Sequence, residues 1–176
     1  MLHENLVEEL QLGQKFSLDL DEMNQNITEE EINQLIAIGA KTRQNIVGCP
    51  YPDKSFTDVS GNPKTIHELE SEFVIINYND LYTDICEREL DSLITISKDM
   101  GEAVSIISFL PNSQSEISHL IEKYGNKIAF VTDANEHIKS HNLGQGSALN
   151  YILDHRREVI YASIHCSPSK FEELMK

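Results

Sequence analysis

The sequence predicts an α/β sandwich built on a mixed sheet, and three observations carry the prediction. Phe73–Tyr78, Ala103–Phe109 and Lys127–Val131 are short, nearly continuous apolar runs, the pattern of strands buried on both faces. Amphipathic stretches over 83–98 and 113–123 separate them, so successive strands are joined by helical crossovers and run parallel. Leu149–Leu153 and Glu158–Ile164 flank the short polar turn Asp154–Arg157, which reads as one antiparallel hairpin.

The remaining elements follow in order. Leu6, Leu10, Leu12, Phe16, Leu18 and Leu20 mark a first helix over 5–20, with a break at Gly13. Thr28 and Glu31 form a capping box for a second helix, striped by Ile32, Leu35, Ile36 and Ile38 and ending near Asn45. Gly48, Pro50 and Pro52 punctuate the chain, because two prolines so close cannot continue a helix. Residues 1–47 therefore read as a helical extension and 48–176 as the main domain. Ser55–Val59 is a short strand, and Ser60 to Pro63 is a turn. Cys86, Leu90, Leu93 and Ile94 share one face of the helix over 83–98. Ala134–His141 is a short helix, and Ser167–Met175 closes the chain with Ser167 as cap and Pro168 in the first turn.

Composition narrows the function. The 176 residues suit one domain with an added segment, and 40% apolar residues suffice for a packed core. Fourteen Lys and Arg stand against 29 Asp and Glu, a net charge of −15, which disfavours phosphate backbones and anionic lipid. No apolar run reaches the roughly 20 residues of a membrane span, and the N-terminus has neither a secretory nor a transit pattern. Three cysteines, Cys49, Cys86 and Cys166, are too few and too odd in number for a disulfide-stapled secreted fold. With no CxxC pair, a zinc ribbon is not expected. A reducing cytoplasm is the expected compartment.

Several motifs then carry a resemblance. Pro52, Asp53 and Phe56 lead to the Gly61 turn, with Ile66–Leu69 as a short helix beyond it. Asn77 leads through Thr83 and Cys86 to Glu89 and Leu90, and Tyr151 leads to Asp154. Together they resemble the redoxins of the alkyl-hydroperoxide-reductase/thiol-specific-antioxidant (peroxiredoxin) and TlpA-like group. Peroxiredoxins carry Pro-x-x-x-Thr-x-x-Cys soon followed by Glu, and TlpA-like proteins carry Cys-x-x-Cys-x-x-Glu-Leu. Thr83, Cys86, Glu89 and Leu90 match the first pattern, and all but Thr83 match the second. The resemblance covers 50–176 and implies a thioredoxin-like three-layer sandwich. Three positions depart from it. Asn79 stands for the peroxiredoxin proline and Thr83 for the first cysteine of a dithiol. Ala148 stands where the group has cis-proline or arginine.

The resemblance implies Cys86 as a nucleophile at a helix N-terminus, where the dipole and unpaired N–H groups favour a thiolate, with Thr83 as a supporting donor. Peroxide would convert Cys86 to a sulfenic acid, and Cys49 or Cys166 would be the thiols available to resolve it. A mixed disulfide with an external thiol or protein is the other outcome. Asp80, Asp84, Glu87 and Glu89 crowd Cys86 in sequence and oppose a thiolate. The reading is therefore a thiol-dependent redox protein acting on peroxide or on a thiol/disulfide protein substrate. The alternative is a redox-inactive thioredoxin-fold module that binds a peptide or protein partner. No cofactor or metal is implied.

His137 and His141 are spaced i,i+4 but lack a third strong ligand, and read as a solvated helix face. His155, Arg156 and Arg157 read as a solvated hairpin tip. Gly144 and Gly146 lack the strand–turn–helix context of a phosphate loop. The two N-terminal helices must bury their stripes against the domain, over its active-site end, or in a homodimer; packing on the domain itself is expected.

Overall fold

The computed structural model describes residues 29–53, 55–78, 84–141, 149–163 and 168–174. The helix expected over 5–20, Thr83, Gly144, Gly146, Ala148 and Cys166 lie outside the described residues.

Among the described residues a helix, α1 (Glu29–Asn45), precedes a small antiparallel pair, β1 (Ser55–Thr57) and β2 (Pro63–Thr65). Then come β3 (Phe73–Tyr78), α2 (Asp84–Met100), β4 (Val104–Phe109), α3 (Ser118–Tyr124), β5 (Ile128–Val131), α4 (Asn135–His141), β6 (Leu149–Leu153), β7 (Val159–Ser163) and α5 (Pro168–Leu174). The main sheet has the order β5-β4-β3-β6-β7. β3, β4 and β5 pair in parallel, while β6 is antiparallel to both β3 and β7. This is the mixed sheet that the sequence predicts.

Strand alternation sorts the core into two layers. Val74, Ile76, Tyr78, Ile107, Phe109, Tyr151 and Leu153 face one side, under Phe56 and Ile66 of the β1–β2 region and Ala134 and Ile138 at α4. Ile75, Ile106, Phe130 and Ile152 face the other, under Leu90, Leu93 and Ile96 of α2, Leu120 of α3 and Phe171 of α5. The result is a three-layer α/β sandwich. Ile46, just past α1, is buried in the first layer, and α1 runs against β7. The lead-in segment then covers the start of β7: Gly48 N donates to Val159 O (2.7 Å), and Val159 N donates to Cys49 O (2.9 Å). This protects part of an edge strand.

The structure departs from the expected elements in three places. β1 stops at Thr57, because Asp58 accepts from Ser60 N (2.9 Å) and Gly61 N closes back on Asp58 O (2.9 Å), with Gly61 at φ 83°. The helix expected over Ile66–Leu69 is a turn. Thr65 N donates to Glu68 Oε2 (2.9 Å) and Glu68 N to Thr65 Oγ1 (3.3 Å), a capping box without a helix behind it. His67 N is held by Asp53 (3.1 Å), and Arg157 takes the carbonyls of Leu69 and Ser71, so the chain is drawn away from a helical path. α3 begins at Ser118, since Ser113 and Glu116 close a turn ahead of it (Ser113 N to Glu116 Oε2, 2.7 Å).

Candidate functional site

Cys86 is the third residue of α2, the helix that leaves the C-terminal end of β3 and returns across the sheet to the start of β4. Its backbone therefore sits in the first turn of a 17-residue helix, where N–H groups have no intrahelical partner. Thr83, three residues earlier, precedes the described part of that helix.

Beneath this turn the sheet carries a buried polar chain. Asn77 of β3 lies opposite Ser108 of β4 and Asn150 of β6, and all three are fully buried on the face that α2 covers. Ser108 Oγ donates to Asn77 Oδ1 (2.7 Å), Asn77 Nδ2 to Asn150 Oδ1 (2.9 Å), and Asn150 Nδ2 to Glu89 Oε2 (3.1 Å). Every link donates in the same direction, and the chain ends on the buried carboxyl of Glu89, one turn along α2 from Cys86. A buried amide without partners costs about 1–3 kcal/mol, so these residues are tolerated only as a set.

Of the carboxylates near Cys86 in sequence, Glu87 and Glu89 have described side chains, and they part in direction, while Asp80 and the Asp84 side chain lie outside the described set. Glu87 meets Lys123 of α3 (3.3 Å), and Asp91 takes the Tyr124 hydroxyl (2.7 Å) and lies 3.6 Å from Lys123. Contact with Tyr124 first, then with Glu87 and Asp91, holds the Lys123 ammonium above the usual lysine range. Glu89 turns inward. Its position on the Leu93 and Ile96 stripe, at i−4 and i−7, was the signal of burial.

The opposite layer holds an aromatic cluster at the same end of the sheet. Tyr51 and Tyr78 share a 2.8 Å hydroxyl hydrogen bond, Tyr151 meets both edge-on (5.6 and 6.2 Å), and Phe109 stacks on Tyr78 (4.9 Å). Burial pushes the hydroxyls of Tyr51, Tyr78 and Tyr151 well above the ordinary tyrosine value. His137 lies against Phe109 (5.2 Å) and is half-buried, so it does not belong to a solvated face. Among the described residues no cluster of three His, Cys, Asp or Glu side chains could hold a metal.

Cys49 is buried, its thiol directed at Asn45 O (3.7 Å). It pairs with Val159, which stands opposite Leu153 and hence beside Val74, whereas α2 starts beyond Tyr78. Four strand residues separate those levels, about 13 Å. A disulfide requires Cα atoms within about 7 Å. Cys49 therefore does not resolve Cys86 in this fold. Arg157 also departs from the expected solvated tip. Only His155 and Arg156 are exposed, while Arg157 is 6% exposed, at φ 62°, with its guanidinium on the carbonyls of Asp154 (3.0 Å), Leu69 and Ser71 (3.1 Å). A groove of about 530 Å³ opens at the far end of the sheet, between the β1–β2 pair and β4–β5, lined by Phe56, Asp58, Lys64, Ser105, Lys127 and Ala129 among others. It is remote from Cys86.

The architecture is that of the thioredoxin fold. A thioredoxin-like protein from Bacteroides caccae superimposes with a TM-score of 0.60 at 16% identity, over 86% of this chain and 57% of the other. This chain thus spans little more than half of that protein's length. The thioredoxin domain of a thiol-disulfide oxidoreductase from Bacteroides vulgatus gives 0.63 at 12% identity, over 74% of this chain and 98% of the other. A thioredoxin-like protein from Aeropyrum pernix gives 0.60 at 17% identity, over 70% and 88%. No protein-family model matches the sequence, and no curated protein matches it either. These likenesses establish the fold. Among the described residues no helix is long and apolar enough to cross a membrane.

Proposed function

We propose that the protein is a thiol-dependent redox protein that uses Cys86 as its nucleophile and Thr83 as a supporting donor. The single observation that supports this reading is the position of Cys86 in the first turn of α2, one turn before the buried Glu89. The Cys86 sulfur attacks one sulfur of a substrate disulfide, the S–S bond breaks, and the leaving thiolate takes up a proton; a mixed disulfide results. With peroxide the sulfur attacks one oxygen, the O–O bond breaks, and a sulfenic acid and water or alcohol form. Glu89, one turn further along the same helix, is the buried carboxyl assigned to this chemistry. A protein disulfide is the favoured substrate and peroxide the second, since several of the proteins sharing the fold are thiol-disulfide oxidoreductases or interchange proteins. The odd cysteine count supports a reducing compartment, the cytoplasm, and residues 1–47 are read as an extension to the redoxin domain 48–176.

The second reading is a redox-inactive module that binds a peptide or protein. Thr83 favours it, because it stands where a dithiol has its first cysteine. Turnover of a dithiol-linked disulfide and of hydrogen peroxide separates the two. Cys86→Ser abolishes both activities if the first reading holds. Unchanged turnover in that variant overturns it.

A further inference from the structure

We infer that Asn150 is a positioning residue for Cys86 chemistry, acting through Glu89, and that Asn77 and Ser108 anchor it. The inference rests on the reading above but concerns residues outside its catalytic set. Asn150 links the sheet to the Glu89 side chain at 3.1 Å, and it sits on β6, far from α2 in sequence. Its amide orientation is not free. Asn77 Nδ2 donates to Asn150 Oδ1, which leaves Asn150 Nδ2 to face Glu89. Asn77 Oδ1 accepts in turn from Ser108 Oγ. The Ser108 hydroxyl can donate or accept, so the direction of the chain is set at its other end, where Glu89 Oε2 accepts from Asn150 Nδ2. An amide turned the other way would set oxygen against oxygen.

Among the described residues, this chain is the sheet's polar contact with Glu89. Among the described residues, the charged and titratable groups on elements packed against α2 have partners of their own. Lys123 of α3 is held by Glu87 and Asp91, Tyr124 donates to Asp91, and Lys170 of α5 pairs with Glu173 (3.0 Å). Arg88 is exposed on α2 itself, and Tyr161 of β7 packs on Phe171 (5.6 Å). Among the described residues, the polar groups that β3, β4 and β6 present to this spot are the neutral Asn77, Ser108 and Asn150.

The test is the pH profile of Cys86 alkylation by iodoacetamide in the full chain, read at the Cys86 peptide by mass spectrometry. Wild type, Glu89→Gln, Asn150→Leu and the double variant are compared, with circular dichroism as the folding control. The expected result is a change in Cys86 alkylation rate near neutral pH of about threefold or more in Asn150→Leu, in the same direction as in Glu89→Gln. The double variant goes no further than Glu89→Gln alone. A purely structural role would not produce that non-additivity. An Asn150→Leu profile superimposable on wild type, or a double variant equal to the sum of the singles, overturns the inference. Should Asn150→Leu not fold, Ser108→Ala decides by the same two criteria with a smaller expected change. Alkylation reads this coupling whether or not Cys86 turns over a substrate. A Cys86→Ser protein with undiminished turnover therefore removes the proposed function and leaves this result standing.

Discussion

Asn150 donates to Glu89 across 3.1 Å, joining the strand that opens the C-terminal hairpin to the second turn of the helix that carries Cys86. The bond closes a buried polar chain within an otherwise apolar layer, where Leu90, Leu93, Ile75 and Ile152 are all fully buried. Such a chain is stable only while complete.

Removing its centre is therefore costly. Asn77→Ala leaves the Ser108 hydroxyl and the Asn150 carbonyl oxygen without their partner and opens a small void. A loss of about 2–3 kcal/mol is expected, read as a lower urea midpoint at unchanged slope. Ser92→Ala removes a hydroxyl that bonds only the Arg88 carbonyl of its own helix, and is expected to stay within about 0.5 kcal/mol.

Arg157 should behave unlike its neighbour. Arg157→Ala strips hydrogen bonds from three backbone carbonyls and frees the loop that leads into β3, at a cost of about 2–4 kcal/mol. Arg156→Ala loses exposed pairs with Asp154 and Glu158, expected to cost less than about 1 kcal/mol. Urea denaturation of the two variants side by side checks the contrast.

The tyrosine cluster predicts an alkaline limit. The protein has six tyrosines, of which Tyr51, Tyr78 and Tyr151 keep their protons in the folded state above their ordinary value because they are buried. Above pH 10 the unfolded chain loses those protons and the folded chain does not, so stability is undiminished below that pH and falls beyond it. Ultraviolet absorbance should show these three phenols ionising only together with unfolding. Early ionisation of all six, with circular dichroism unchanged, would contradict the packing described.

Asp58 predicts the acid limit. Burial opposes its charge, but bonds from Lys64 (2.8 Å) and Ser60 outweigh burial and hold the carboxyl below its usual 3.8. A depressed folded-state value gives stability that is present above the unfolded value and lost as pH falls through the folded one. Asp58→Asn should lower stability at neutral pH and flatten its decline below pH 4, measured by urea midpoints across that range.

Much of this fold was legible in the sequence. The run Phe73–Tyr78 is apolar at almost every position, and a central strand covered on both faces permits little else. The order of crossovers and the final hairpin then leave few topologies. The turn at Ile66–Leu69 was not legible, because the groups that straighten it, Asp53 and Arg157, come from distant parts of the chain. Arg157 was misread for the same reason: nothing local distinguishes it from Arg156. Cys86 could be placed at a helix start from spacing alone, whereas the partnership of Glu89 with Asn150 depends on strand register, which appears only when β3 and β6 are paired. Asn77 and Asn150 interrupt apolar runs far apart in sequence, and only that register sets them opposite each other.

The most direct test is a competition among the three cysteines of the native protein, treated briefly with a limiting disulfide probe or with hydrogen peroxide and mapped by mass spectrometry. Modification concentrated at Cys86, with Cys49 untouched until the chain unfolds and no bond between the two, is the predicted result. Modification that passes over Cys86, or a disulfide joining Cys49 to Cys86 in the folded protein, would contradict the account.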